Sequence, residues 1–163
     1  MSQLEKGVMF FLFGFVPVLL VIPIYIVNFM LMWMNHQLLL MFISAYFLVC
    51  WALLSAKLLK SRKDALLELL MVHIVPLCMA AMGGLAASAP KYEVLHMIST
   101  AYFQAIWPLM VLCATKVDAR VTAYYSGTTW TVYAIGFVML LLAGAIGIAI
   151  KYCLFDCARI VQN

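Results

Sequence analysis

An all-α membrane protein, folded as an antiparallel bundle of five transmembrane helices, is the class this sequence predicts; four spans is the rival count. Three observations predict it. Of the 163 residues, 68% are hydrophobic and only 10% are charged, with a mean hydropathy of +1.12. An ordinary soluble domain is about 45–50% apolar and about 25% charged, and a chain this short could not bury the excess. The apolar residues also fall in runs as long as a bilayer is thick, since a core of about 30 Å needs roughly 20 residues of helix. The basic residues fall in the short gaps between runs. This composition excludes a soluble globular enzyme and a disordered tail, and it predicts one integral membrane domain over 1–163.

The first run spans about 8–34. Pro17 and Pro23 lie inside it, so a kink or a broken outer end is expected. It is too long for a signal-peptide core and lacks a basic leader, so cleavage is not expected. Asn35, His36 and Gln37 make a polar turn before the second run, 38–59. The connector Lys60-Ser-Arg-Lys-Asp64 precedes the third run, 65–89. Pro90 to Glu93 turns the chain into the fourth, 94–115. The longest polar stretch, 116–127, leads to the fifth, 128–150. In the tail, 151–163, Lys151, Asp156, Arg159 and Gln162 share one side of a helical wheel, and Cys153, Leu154, Cys157, Ile160 and Val161 the other. That pattern fits an amphipathic interfacial helix or a continuation of the fifth span. A four-span chain would make the first run, or the third with its Pro76, re-entrant.

Short connections make successive helices antiparallel neighbours. With the N-terminus inside, the inner side holds Lys6, Lys57, Lys60, Arg62, Lys63, Lys116 and Arg120. The outer side holds Lys91, Lys151 and Arg159. Cytoplasmic loops carry the excess of Lys and Arg, so a cytoplasmic N-terminus and an external C-terminus are expected. Compact loops and no N-glycosylation sequon fit a bacterial inner membrane. Trp33, Trp51, Trp107 and Trp130 read as interfacial anchors.

Depth selects an intramembrane polar pair. His73 lies about 12 Å from the inner end of its run and Gln104 about 15 Å from the outer end of its own. Straight antiparallel spans would let them meet near the midplane. An ionisable residue at that depth is a functional hypothesis, as a proton shuttle or as half of a polar clasp. Small residues mark helix-packing faces: Ala80, Gly83, Gly84, Ala87 and Ser88 in the third run, paired four apart, and in the fifth Ala143 and Gly147, four apart, with Gly144 between them. Glu68 is expected to reach the inner interface or pair with Lys60, Arg62 or Lys63.

Met30, Met32, Met34, His36 and His96 gather on the outer side. Thioether and imidazole suit Cu(I), and two facing histidines suit haem; otherwise no cofactor is expected. The five cysteines form no CxxC pair, so neither a disulfide framework nor a zinc site is expected. No nucleophile with a base, carboxylate pair or phosphate loop appears, and the charge of +4 belongs to topology rather than to nucleic acid.

The expected function is a non-enzymatic small multi-pass subunit in a transport, secretion or respiratory assembly, or a blocker of another membrane protein. Its partners would be the lipid bilayer and other integral membrane proteins, or further copies of itself. The alternatives are a proton- or ion-coupled carrier or channel using His73 and Gln104, and copper or haem binding at the outer face.

Overall fold

The computed structural model describes residues 3–19, 37–58, 65–87, 90–117 and 130–161, with Pro23, Ile26, Val27 and Met30 between the first two. Among the described residues there is no strand. Helix α1 is Gln3–Gly14, α2 Val16–Leu19, α3 Gln37–Leu58 and α4 Ala65–Ala87. A 3-10 turn, Pro90–Tyr92, leads to α5, Glu93–Phe103. Then come α6, Trp107–Val117, and α7, Trp130–Val161. Three helices, α3, α4 and α7, are long and apolar enough to cross a membrane. The protein is an all-α membrane bundle.

Backbone chemistry sets the breaks. The first run stops being one helix at Phe15, whose N–H donates to the Leu12 carbonyl at 3.0 Å. Two residues later Pro17, which has no N–H to give, sits in the first turn of α2. Pro76 stays inside α4 and withholds the N–H that the Val72 carbonyl would otherwise accept. That carbonyl faces Gly14 of α1, where an added Cβ would also stand 2.8 Å from Val75 Cβ. Absence of a side chain at Gly14 therefore lets α1 close on the weakened turn of α4.

The fourth apolar run is not the straight span its composition predicts. It breaks at Gln104–Ile106, and the axis turns through 107° between α5 and α6. The tip is tied down from both sides. Tyr102 Oη donates to the Gly14 carbonyl at 2.6 Å. Across the tip, Phe103 and Met110 lie over Gly136 of α7, in the space a Cβ would fill. Irregular backbone at membrane depth is tolerated where protein buries it, and Ala105 and Ile106 are buried.

The pairing of α7 gives its direction. Gly84 meets Trp130, Gly83 meets Tyr133, and Gly144 meets His73 and Leu69, so numbers rise along α7 as they fall along α4. These two helices are antiparallel. On the other side Gly147 meets Ala52 and Lys151 meets Ala56; four residues along α7 match four along α3, so these two are parallel. The chain thus leaves α4 and enters α7 at the same end of the bundle. Five alternating spans would make α4 and α7 parallel, with α7 ending at the opposite end. The structure corrects this expectation: the bent pair α5–α6 returns the chain to the end it came from. It is this fourth run, rather than the third with its Pro76, that folds back; much of the first run lies outside the described residues.

The tail is also continuous with α7, which runs unbroken to Val161. At 1.5 Å per residue its 32 residues span about 48 Å, more than a bilayer core. A separate interfacial tail helix is therefore replaced by an extension of the last span.

Candidate functional site

The interior of the bundle is organised around His73. The buried stripe of α3 is Leu40, Ser44, Phe47, Trp51 and Ser55, spaced by three and four as a helix face requires. It carries Trp51 to mid-depth, where the side chain is 1% exposed. Trp51 is therefore a core residue and not the interfacial anchor expected from its type. Its ring stacks on Phe13 of α1, centroids 5.0 Å apart, and meets the His73 ring edge-on at 5.8 Å.

Three hydrogen-bonding groups surround the imidazole, one from each long helix. Trp51 Nε1 donates to Nε2 at 3.3 Å. The Leu69 carbonyl lies 2.8 Å from Nδ1 and the Leu140 carbonyl 3.0 Å from Nε2. An indole N–H only donates and a carbonyl only accepts. Neutral His73 with its hydrogen on Nδ1 satisfies Leu69 and Trp51. The charged form, with hydrogens on both nitrogens, satisfies Leu69 and Leu140 instead. Nε2 therefore serves either Trp51 of α3 or Leu140 of α7, according to whether it carries a hydrogen. Gly144 provides the room: an added Cβ would stand 2.8 Å from the ring carbon Cε1.

Gln104 is not among the partners of His73. It sits at the break between α5 and α6, where its N–H donates to Ala101 and its carbonyl accepts from Trp107. Depth along straight spans matched the two residues, and the 107° bend removes that premise. Sequence reasoning missed Gly14 and Gly136 and placed Trp51 at an interface.

The small-residue faces meet side chains and backbone of this same chain. Gly83 faces the Tyr133 ring and Gly84 the Trp130 ring, while Gly147 faces the backbone of Ala52. Ala80 and Ala143 are buried, Ala87 closes α4, and Ser88 lies outside the described residues. Tyr133 joins α7 to α5: its hydroxyl is 2.9 Å from Thr100 Oγ1 and 2.9 Å from His96 Nδ1. Of the outer methionine–histidine group, Met30 is exposed and His96 is engaged with Tyr133. Met32, Met34 and His36 lie outside the described residues. Among the described residues no three His, Cys, Asp or Glu side chains gather as a metal group.

Glu68 is buried, and its Oε2 has no hydrogen-bond partner among the described residues. Lys60, Arg62 and Lys63, its expected partners, lie outside them.

Replacing His73 with Leu leaves the buried Trp51 N–H without its acceptor. The expected loss is about 1–3 kcal/mol, the cost of stranding one buried donor. Adding Trp51→Phe should restore part of it, because both partners are then apolar. Unfolding midpoints of the two variants in mixed micelles check this; a double variant no more stable than His73→Leu contradicts the pairing.

Compared with known protein families, curated proteins and solved structures, the chain matches none.

Proposed function

We propose that this chain is a small, non-enzymatic multi-pass membrane subunit that packs within a larger membrane assembly of the transport, secretion or respiratory type, or blocks another membrane protein by helix contact. The observation that supports this reading is the closed interior. At mid-depth Trp51, Val72, His73, Tyr102, Phe103 and Leu140 are all buried. His73 joins α4 to α3 through Trp51 or to α7 through Leu140, and Tyr102 bonds α5 to α1. What such a bundle offers is its outer surface. Along α4 this is a stripe of exposed Leu66, Leu70, Ile74, Leu77 and Leu85.

The positive-inside rule, applied to the helix pairing, changes the orientation. The end where α3 finishes, α4 starts and α7 finishes carries Lys57, Lys60, Arg62, Lys63, Lys151 and Arg159. Lys91, Lys116 and Arg120 lie between the exit from α4 and the entrance to α7. Six against three favours a cytoplasmic C-terminus over the external one expected from alternating spans. With Lys6 on the same side and the run 8–34 as one span, this reading has four crossings in a bacterial inner membrane.

A second reading, a proton-coupled carrier, draws on the exchange of partners available to His73. It differs from the expected His73–Gln104 relay in using Trp51 and Leu140.

Purification from native membranes in mild detergent, with the intact complex weighed by mass spectrometry, separates the two. The subunit reading expects a larger membrane protein at fixed stoichiometry. A chain that emerges alone and carries protons across liposomes, with flux lost in His73→Ala, overturns it in favour of the carrier.

A further inference from the structure

On its outer side the α3–α7 contact leaves an apolar groove of about 620 Å³, walled by Val49, Leu53, Ile146 and Ile150 and floored by Ala52 and Gly147. Among the described residues, the charged side chains lining it are Lys57 and Lys151, both cationic and both at the same end. Lys151 is held there: its Nζ donates to the Ala56 carbonyl at 2.7 Å. That carbonyl stands in the last described turn of α3. The ammonium is therefore fixed across the mouth of the groove, beside exposed Lys57.

We propose that this groove binds one anionic phospholipid, an acyl chain lying on its apolar walls and the phosphate between Lys57 and Lys151. Depth, volume and charge select this occupant. The first is depth. From Val49 to Lys57 the groove runs about 12 Å along the helix, close to the half-thickness of a bilayer core of about 30 Å. It therefore covers one leaflet, with its charge at that leaflet's surface. The second is volume. A helix 10–12 Å across with a 5.4 Å pitch occupies roughly 500 Å³ per turn, so the groove holds about one turn. A crossing partner helix has five or six, whereas single small ligands occupy about 300–1,000 Å³. The third is charge. Basic pockets between membrane helices on the cytoplasmic side bind anionic headgroups, and the connector beside this end carries Lys60, Arg62 and Lys63.

The site goes beyond the subunit reading and stands whether or not a protein partner exists. The test uses the full chain in mild detergent, offered equal amounts of phosphatidylglycerol and phosphatidylcholine with identical acyl chains, and read by native mass spectrometry. The wild-type chain is expected to retain one phosphatidylglycerol in preference to phosphatidylcholine. Each lysine near a membrane surface contributes about a fivefold preference for anionic lipid. Lys57→Gln/Lys151→Gln should therefore lower the ratio about 25-fold, and Lys57→Gln alone, which leaves the Lys151–Ala56 bond intact, about fivefold. Leu53→Trp, which fills the groove, should lower retention of both lipids. Lys91→Gln, at the other end of the bundle, should change nothing. Equal retention of the two lipids by the wild type, or an unchanged ratio in Lys57→Gln, overturns the proposal. So does anionic lipid that accumulates without saturating at one per chain.

Discussion

Gly147→Leu is expected to separate α3 from α7 and to be among the most damaging single substitutions in the bundle. The atoms that an added Cβ would meet at Gly147 are the carbonyl oxygen, carbonyl carbon and Cα of Ala52. All three belong to backbone, so no rotamer change can relieve the contact; the whole of α3 must move. Overpacking a well-filled site costs about 1–3 kcal/mol where side chains can shift. Here the cost should reach or exceed the top of that range. Separation would also pull Lys151 away from the Ala56 carbonyl four residues on. Gly147→Ala tests the same contact with the smallest possible intrusion. In its favour stands the better helix propensity of Ala, worth about 1 kcal/mol, and the clash should still dominate.

Two other glycines calibrate the effect. Gly7 has nothing within 4 Å of an added Cβ, so Gly7→Ala should be neutral or slightly stabilising. Gly84 faces the Trp130 ring, which is 47% exposed and has room to swing, so Gly84→Ala should cost less than Gly147→Ala. Reversible unfolding in mixed micelles gives the order. A Gly147→Leu midpoint equal to that of the wild type would mean that α3 and α7 do not touch here.

The presence of spans was legible because lipid imposes a length. The apolar runs 38–59 and 65–89 hold α3 and α4, each long and apolar enough to cross a membrane. Direction after α4 was not legible, because hydropathy measures composition and is blind to axis. The run 94–115 is equally apolar whether straight or folded back. One local signal marks the break. Pro108 stands one residue into α6, and a residue before proline is disfavoured in the α region; a helix start near Trp107 is what such a pair favours. His73 was legible from depth alone. Its partner was not, since depth converts to contact only when both helices are straight. Trp51 was hidden by its type: tryptophan is common at interfaces, yet position 51 stands about 21 Å along α3 from Gln37.

The sharpest consequence of the fold concerns which segments share a side of the membrane. Four single-cysteine variants in a background stripped of the native cysteines decide it: Ser61→Cys before α4, Lys91→Cys after it, Ser126→Cys before α7 and Asn163→Cys after it. Five alternating spans would group position 61 with 126 and position 91 with 163. The antiparallel packing of α7 on α4 groups them differently, 61 with 163 and 91 with 126. A membrane-impermeant maleimide applied to intact cells should label Lys91→Cys and Ser126→Cys. It should reach Ser61→Cys and Asn163→Cys only after the membrane is opened. The expected change is all-or-none, because a maleimide either crosses the bilayer or does not. It is also insensitive to the absolute orientation, since an inverted protein would exchange the two groups without mixing them. Labelling of Ser126→Cys together with Ser61→Cys would mean that the bent pair crosses after all. The contacts of Gly83 with Tyr133 and Gly144 with His73 could not then coexist in one chain, because a helix entering from the other side would meet α4 with its numbers running the other way.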